Sequence, residues 1–403
     1  MAKHFHVNTP LLESISMSKH VGTTVFLKME NSQPSGSFKI RGIGHLCQQR
    51  ATQSKGVVCS SGGNAGMAAA YVARKMGLPA TIVVPSSTPQ LVVQRLKDQG
   101  ATVKIVGKVW DDANGEALRL TETEGLTYVP PFDDPLLWQG HASIITEVAA
   151  SLGPVVKPGA VLVSVGGGGL LCGVIQGLKD VGWTDVPIIA METVGADCLN
   201  AAVKAGRVVT LDDITSEAKC LGAKTVCKKA FECTQSSELT IISELVTDQQ
   251  ALHAVETFLD EERVLVELAC GASLAAVYSG LIRRLQDEGR LPTVLGPLLF
   301  VCEQRQQASN QKKEMQGSTE GSASTQVFPL PVRLKVPAIR LQSREERGKL
   351  AVEAPVKATT GSSLRATPTY PSHCRDVLLR FSPPHKLSLY IHTHAHTHTH
   401  TPA

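Results

Sequence analysis

Short apolar runs alternate with longer amphipathic stretches in the first third of the chain. Largely β-branched runs predict three buried strands, at Gly56–Cys59, Ala80–Val84 and Ala101–Val106. Helical segments are predicted beside them, near Asn64–Met76, Thr88–Gln99 and Asp111–Glu124. Strands that alternate with helices in this way are typical of a parallel sheet covered by helices on both faces.

A second strand–helix series begins at Val161. The apolar run Val161–Val165 ends in four consecutive glycines, which an apolar stretch follows. Two α/β lobes with a cleft between them are therefore predicted, and small ligands bind in clefts of this kind.

Composition limits the class of protein. Hydrophobic residues make up 42% of the chain and aromatic residues only 4%, which predicts a large aliphatic core. The ten cysteines form no CxxC pair and no zinc-spaced cluster, and Cys47, Cys172 and Cys270 lie in apolar surroundings typical of core residues. No apolar stretch reaches the ~18 residues of a membrane span, and the first residues lack an apolar signal core. We therefore expect a reduced, soluble, cytoplasmic protein.

Residues 303–403 differ from the rest of the chain. They are rich in Ser, Thr, Pro and charge, and they end in an alternating His–Thr run over 392–401. They hold 14 Lys and Arg against 7 Asp and Glu, so the tail has a net charge of +7 and the first 302 residues have −3. The tail is predicted to be mostly disordered. The first 302 residues give no reason to expect a nucleic-acid partner. A CA dinucleotide repeat encodes alternating His and Thr when it is translated. The His–Thr run therefore favours the hypothesis that the tail arises from read-through or misprediction past an exon end.

Lys39 is the first candidate for chemistry. It lies within Ser35–Gly42, between small residues and Phe38. A lysine amine becomes a nucleophile toward aldehydes when desolvation or a neighbouring cation lowers its pKa. The small residues would let a flat cofactor approach the backbone. The alternative is a solvated lysine at the junction of a loop and a helix.

Two Gly-rich turns have the complementary chemistry. In the first, the stretch Val57–Gly66 leads from an apolar run into an Ala-rich helical segment, whose free amides favour an anion such as an amino-acid carboxylate. In the second, Gly166–Gly169 have no Cβ to keep a phosphate from the backbone amides. The glycine run lacks the Gly-Lys-Ser/Thr of a P-loop and the third glycine of a dinucleotide fingerprint. A monophosphate site and a turn without a ligand are the two interpretations left.

These motifs, in this order, resemble those of the fold-type II pyridoxal-phosphate enzymes, the tryptophan synthase β-like family. The match is closer still to the animal serine dehydratase and serine dehydratase-like branch of L-serine/L-threonine ammonia-lyases. The segments that carry the resemblance are Gln33–Lys39, Ser60–Met67, Pro130–Pro135, Gly140–Ser143, Gly166–Leu171 and Ala190–Thr193. The resemblance covers roughly residues 5 to 302. It implies a catalytic region over 1–302 with a small lobe at roughly 40–140, and a homodimer.

The resemblance also implies how the cofactor, pyridoxal 5′-phosphate, would be held. Lys39 would form a Schiff base with it and later remove the substrate Cα proton. Phe38 would cover one ring face, Asn64 would bind the ring 3′ oxygen, and Cys302 would lie opposite the pyridine nitrogen. The phosphate would be bound by Gly166, Gly167, Gly168 and Gly169, with Leu170 closing the loop. A thiol leaves the ring only partly protonated, which suits β-elimination.

The family pattern implies two further sets of residues. The substrate carboxylate would be held by Ser61, Gly62, Gly63, Asn64 and Ala65. A monovalent cation, K⁺, would be held by Gly166, Glu192, Ala196, Leu221 and Ala223. Among the cation ligands only Glu192 has a side chain suited to binding a hard cation.

The implied reaction deaminates L-serine to pyruvate and L-threonine to 2-oxobutanoate, each with release of ammonia. The runner-up is a serine racemase or another fold-type II activity. Racemases of this fold place a serine two positions before the loop asparagine, as the base on the opposite face of Cα. Gly62 occupies that position here, which disfavours racemisation.

The sequence departs from the family pattern at two places. After Cys302 the family continues with a Gly-Gly-Ser/Asn-Asn turn and a closing helix, whereas this chain continues with Glu303–Gln307. Cys302 could then be misplaced, so a catalytically impaired protein that only binds or dimerises is the third hypothesis. The second departure is Leu268, where the family usually has proline after the glutamate.

Overall fold

The computed structural model describes residues 4–292 and 296–303, together with the backbone of 377–382 and 386–391. Met1–Glu320 forms one compact unit and Gly321–Ala403 a second. In the second unit, Val377–Ser382 and Lys386–Ile391 pair as an antiparallel hairpin with Val377 opposite Ile391. Apart from Glu303 and this hairpin, the predicted disorder of 303–403 lies outside the described residues.

The first unit contains ten of the described strands, in two sheets. In chain order the strands are β1 Leu11–Ser14, β2 Val25–Lys28, β3 Val57–Cys59, β4 Ala80–Val84, β5 Thr102–Ile105, β6 Thr127–Tyr128, β7 Ala160–Ser164, β8 Ile188–Thr193, β9 Ile241–Val246 and β10 Leu298–Val301. The hairpin strands of the second unit are β11 and β12.

Twelve helices surround the sheets in the described part of the chain. They are α1 Ile15–Val21, α2 Lys39–Arg50, α3 Asn64–Met76, α4 Gln90–Asp98, α5 Trp110–Glu124, α6 Pro135–Leu152, α7 Gly169–Asp180, α8 Cys198–Ala205, α9 Lys228–Thr234, α10 Asp248–Glu262, α11 Leu268–Tyr278 and α12 Leu281–Asp287. Within the described residues, no helix combines the length and the apolar content that crossing a bilayer requires.

The smaller sheet has the strand order β5-β4-β3-β6, and all of its strands are parallel. The predicted strands and helices of this region are confirmed to within two residues. Helix α4 begins later than predicted because Pro89 is its N-cap residue, in an extended conformation with ψ of 140°. A residue that precedes a proline is biased away from the helical region, which leaves Thr88 outside the helix.

The larger sheet has the strand order β1-β2-β10-β7-β8-β9. The edge strand β1 is antiparallel to β2, and the other neighbours are parallel. Strands β7 and β8 are buried along their whole length, as expected for strands covered on both faces. Strand β10 lies inside the sheet, between β2 and β7, so the chain that leaves it at Cys302 and Glu303 emerges in the middle of the sheet.

Parallel strands bring their carboxyl ends, and the loops that follow them, to the same edge of a sheet. The loop from β7 to α7 contains Gly166–Gly169, and the loop from β3 to α3 contains Ser60–Gly63. The candidate residues of both sheets therefore lie in strand-to-helix loops, where the N-terminus of the next helix faces the ligand.

Candidate active site

Lys39 is the first residue of α2. Its Nζ donates a hydrogen bond to the Pro131 carbonyl oxygen at 2.6 Å and lies 5.2 Å from the centroid of the Phe38 ring. Desolvation lowers the pKa of the amine to about 8, against the opposing influence of Glu303 and of the Cys59 thiol. A useful fraction of the amine is therefore uncharged near neutral pH, and the uncharged form is the one that attacks an aldehyde.

Phe38 precedes Lys39 and rests against a buried histidine. Its ring meets the His141 ring edge-on, with 4.9 Å between the centroids and 68° between the planes. Burial, with Lys39 and Arg41 nearby, holds the pKa of His141 well below its ordinary value, so the imidazole is neutral. Gly42 of α2 and Gly173 of α7 leave room for this residue, because a Cβ on either one would overlap it. His141 therefore spaces the lysine helix from the helix that follows the glycine loop.

Arg41 fixes the first turn of the lysine helix. This fully buried guanidinium donates two hydrogen bonds to Glu30 and two to Glu147, all at 2.7 Å. Lys28 donates to the same Glu147 at 2.6 Å. Removing one partner of a buried ion pair costs about 3–5 kcal/mol, because the other charge is left uncompensated. The network thus holds the start of α2, and with it Lys39, in one position.

The glycine loop presents a set of free donors. Within the described residues, the amides of Gly166, Gly167, Gly168 and Gly169 donate no hydrogen bond to the protein. Gly168 has a φ of 89°, in the left-handed region that favours glycine. A Cβ on Gly166 would overlap the Leu221 carbonyl oxygen. Free amides at the N-terminus of α7 form a site for an anion such as a phosphate. Leu170, predicted to close this loop, is buried in α7.

The loop before α3 offers a second set of donors. Gly63 is the N-cap residue of α3 and has no side chain to cap it. The Gly63 amide donates to Ser61 Oγ at 3.2 Å, whereas the amides of Gly62, Asn64 and Ala65 donate to no group within the described residues. Three of the four predicted amide donors are therefore available to a substrate carboxylate, and the fourth orients the Ser61 hydroxyl.

The Asn64 side chain is oriented by Glu267, which is distant from it in sequence. Its Nδ2 donates to Glu267 Oε2 at 3.0 Å, across a sequence separation of 203. Glu267 is the N-cap residue of α11, and Leu268, which replaces the family's usual proline, begins that helix. An amide group has two N–H donors, so Asn64 keeps one for the predicted bond to the ring 3′ oxygen.

Cys302 is held at the end of β10 despite the altered sequence that follows it. Its amide donates to the Lys28 carbonyl at 2.9 Å, and its carbonyl accepts from the Asn31 amide at 2.8 Å. Burial raises the pKa of the thiol above its ordinary range. The position opposite the pyridine nitrogen stays a prediction.

Glu303 is a site residue that the sequence analysis did not predict. Only 2% of it is exposed, and its Oε1 accepts the amide of Ser164, two residues before the glycine loop, at 2.6 Å. Its carbonyl accepts the Phe38 amide at 3.1 Å. Burial raises the pKa of the carboxyl to about 8, while the Ser164 amide and the Lys39 charge act in the opposite direction. In sequence Glu303 opens a polar segment, and no local signal marks it as a site residue.

The predicted cation ligand Glu192 is buried at the end of β8. Its two oxygens accept the amides of Leu199 and Asn200, at 2.9 and 2.8 Å, at the beginning of α8. Burial raises the pKa of this carboxyl to about 8. Each carboxylate oxygen keeps a lone pair after these bonds, so the side chain can still accept a cation.

The other predicted cation ligands offer backbone oxygens. The Leu221 carbonyl lies against Gly166, since its oxygen would overlap a Cβ on that glycine. Ala196 follows β8 and its amide donates to the Thr193 carbonyl at 2.9 Å. Ala223 is partly buried against the core cluster that includes Val165 and Leu170. Binding of K⁺ at this group stays a prediction.

The pair formed by Lys39 and Glu303 gives a prediction on pH dependence. Because the lysine is protonated below its pKa of about 8, covalent loading of the cofactor is expected to accelerate as the pH rises through that value. The Glu303 charge raises the lysine pKa, so Glu303→Gln should move the midpoint to lower pH, and Gln can still accept the Ser164 amide. The measurement is the rate of cofactor loading against pH, with Glu288→Gln, at an exposed position, as the control. An unchanged or higher midpoint in Glu303→Gln would contradict the assignment.

Comparisons with known proteins decide the family. The sequence profile of the family described as pyridoxal-phosphate dependent enzyme matches residues 3–295. The chain belongs to this family. A human protein named serine dehydratase-like is 60% identical over 300 residues, which cover 74% of this chain and 90% of the relative. A mouse L-serine dehydratase/L-threonine deaminase is 57% identical over 298 residues, covering 73% and 90%. The crystal structure of a fungal L-serine ammonia-lyase from Rhizomucor miehei matches with a TM-score of 0.71 and 35% identity, over 78% of this chain and 99% of that one.

Membership of the pyridoxal-phosphate dependent enzyme family confirms the predicted resemblance, the α/β fold and the cofactor. The residues present fit that cofactor. The free amides of the glycine loop suit its phosphate, and within the described residues the Lys39 amine forms no salt bridge that would keep it from an aldehyde. Lys39, Phe38, Asn64 and the glycine loop are the groups that would hold it.

Proposed function

We propose that the protein is an L-serine/L-threonine ammonia-lyase that converts L-serine to pyruvate and ammonia, and L-threonine to 2-oxobutanoate and ammonia. The mouse and human relatives named L-serine dehydratase/L-threonine deaminase are each 57% identical to this chain, over 90% of their own length. The observation that carries the proposal is the Lys39 amine, which has a pKa near 8 and is accompanied by two loops of free amide donors.

The chain's own residues can bind and orient the substrate and move its Cα proton, which are two of the tasks of an elimination. When bound, pyridoxal phosphate supplies an electron-withdrawing ring that stabilises negative charge at the substrate Cα. The amides of Asn64 and Ala65 orient the substrate through its carboxylate, and the Ser61 hydroxyl assists. Lys39 Nζ would take the Cα proton, and the lowered pKa of this amine suits a general base that works near neutral pH.

The surroundings of Gly62 favour elimination over racemisation. Gly62 has no side chain that could give or take a proton on the second face of Cα. A Cβ at this position would lie 3.2 Å from Thr88 Cγ2 and 3.2 Å from Val84 Cγ1, which is closer than ordinary packing. A serine here would therefore have to displace neighbouring side chains, so the local packing is adapted to glycine.

A product assay tests the proposal. We expect the purified protein loaded with pyridoxal phosphate to release pyruvate and ammonia in equal amounts from L-serine, and 2-oxobutanoate from L-threonine. A chiral assay on the same samples should find D-serine formed at less than about a hundredth of the pyruvate rate, since general acid–base groups contribute at least that factor. Formation of D-serine as the main product would favour the racemase, and loading without either product would favour the impaired protein.

We also propose that the enzyme is a cytoplasmic homodimer that binds K⁺ beside the glycine loop. The cation is supported by the buried Glu192 carboxylate and by the Leu221 carbonyl against Gly166. The dimer is supported by exposed apolar side chains near the edge strand β1, where Leu12 is 48% and Ile15 62% exposed. Light scattering tests the dimer through the molecular mass, and a monomer would reject it.

The activity in K⁺ compared with that in Li⁺ tests the cation site, and equal activity in the two salts would reject it.

A further inference from the structure

Two thiols meet directly behind the glycine loop. Cys172 lies in the first turn of α7, and Cys227 is the N-cap residue of α9. Their Sγ atoms are 3.8 Å apart, both residues are buried, and both are free thiols. A disulfide has an S–S distance of about 2.05 Å, so the two sulfurs would need to approach each other by roughly 1.8 Å.

Both cysteines are bonded to the loop through their own backbones. The Cys172 amide donates to the Gly168 carbonyl at 3.0 Å, and the Cys227 amide donates to the Gly167 carbonyl at 3.0 Å. The Cys227 sulfur also packs against the loop, since a Cβ on Gly168 would lie 3.1 Å from it. Protein interiors are close-packed, so a movement of either cysteine toward the other displaces the glycine loop as well.

The two thiols differ in reactivity. The hydrogen bond between them lowers the pKa of Cys227 and raises the pKa of Cys172. The thiolate is the reactive form of cysteine, so Cys227, as the acceptor of this hydrogen bond, is the attacking thiol and Cys172 the resolving one, and the disulfide formed is the same in either order. Cys233, also on α9, is half-buried, and burial raises the pKa of its thiol.

We propose that Cys172 and Cys227 form a reversible disulfide under hydrogen peroxide, and that this bond displaces the glycine loop and weakens retention of the cofactor. The Cys227 thiolate attacks one peroxide oxygen, the O–O bond breaks, and a sulfenic acid forms while the leaving hydroxide takes up a proton as water. The Cys172 sulfur then displaces the sulfenic hydroxyl, which leaves as water with the Cys172 proton. Two thiols lose two electrons and two protons, and one peroxide is reduced to two waters.

The test starts with the holoenzyme treated with hydrogen peroxide, alkylated and digested. We expect a peptide pair linked through Cys172 and Cys227, which disappears when a dithiol reductant is added before alkylation. The linked pair should persist in Cys233→Ser, the matched change on the same helix, and be missing in Cys227→Ser. If peroxide oxidises other cysteines while the wild-type protein yields no linked pair, the proposal is wrong, and this measurement needs no variant to fold.

The second measurement follows the cofactor. Dissociation of pyridoxal phosphate from the oxidised protein, followed by its visible absorbance, should be at least several-fold faster than from the reduced protein, and reduction should restore the slow rate. Equal rates in both states would reject the link between the thiols and the loop. This effect rests on the proposed phosphate role of the glycine loop, whereas the linked peptides do not, so a failed function and a failed disulfide give different results.

Discussion

Lys39→Ala is expected to abolish covalent attachment of the cofactor. It should also lower the rate of L-serine deamination by about 100- to 10,000-fold, the range for loss of a general acid–base group. The physical reason is that one amine has both tasks, holding the aldehyde and moving the Cα proton. Alanine removes the hydrogen bond to the Pro131 carbonyl but leaves the Arg41 network intact, so the fold should persist. Borohydride reduction followed by peptide mass spectrometry locates the cofactor, and a pyruvate assay gives the rate.

Lys104→Ala is the control for this prediction. Lys104 lies on β5 of the smaller sheet. Its side chain is 38% exposed and forms a long ion pair with Glu124. A surface ion pair of this kind contributes at most about 1 kcal/mol, so both readouts should match those of the wild type. A reduced cofactor found on any other lysine, or turnover kept by Lys39→Ala, would refute the role of Lys39 and the proposed chemistry with it.

Local sequence signals predicted the elements that carry the site. Apolar runs bounded by glycine or proline locate β3, β4 and β7, and the turns that follow them are specified by residues adjacent in sequence. The glycine loop could be predicted for the same reason, because its free amides follow from a strand, four residues without side chains and a helix.

Long-range contacts explain what the sequence analysis missed. The bond from Asn64 to Glu267 joins residues 203 positions apart, and β10 takes its place in the middle of the larger sheet although it comes last of that sheet's strands in sequence. Glu303 becomes a buried neighbour of Lys39 only through that pairing. In sequence it is an acidic residue at the start of a polar segment, and nothing local distinguishes it from a solvated one.

Gly166→Ala should weaken cofactor binding more than about tenfold, equivalent to roughly 1.4 kcal/mol, and lower the free energy of unfolding by about 1–3 kcal/mol. A Cβ on Gly166 would overlap the Leu221 carbonyl oxygen. This oxygen belongs to the backbone, so it cannot move away as the end of a flexible side chain could. The loop must shift, and its amides would no longer point together toward a phosphate. Gly115→Ala is the control, because no atom lies within 4 Å of its added Cβ and alanine favours helix α5 by about 1 kcal/mol. Cofactor titration and urea unfolding measure both effects, and equal values for the two variants would show that the loop tolerates a side chain and does not bind the phosphate as proposed.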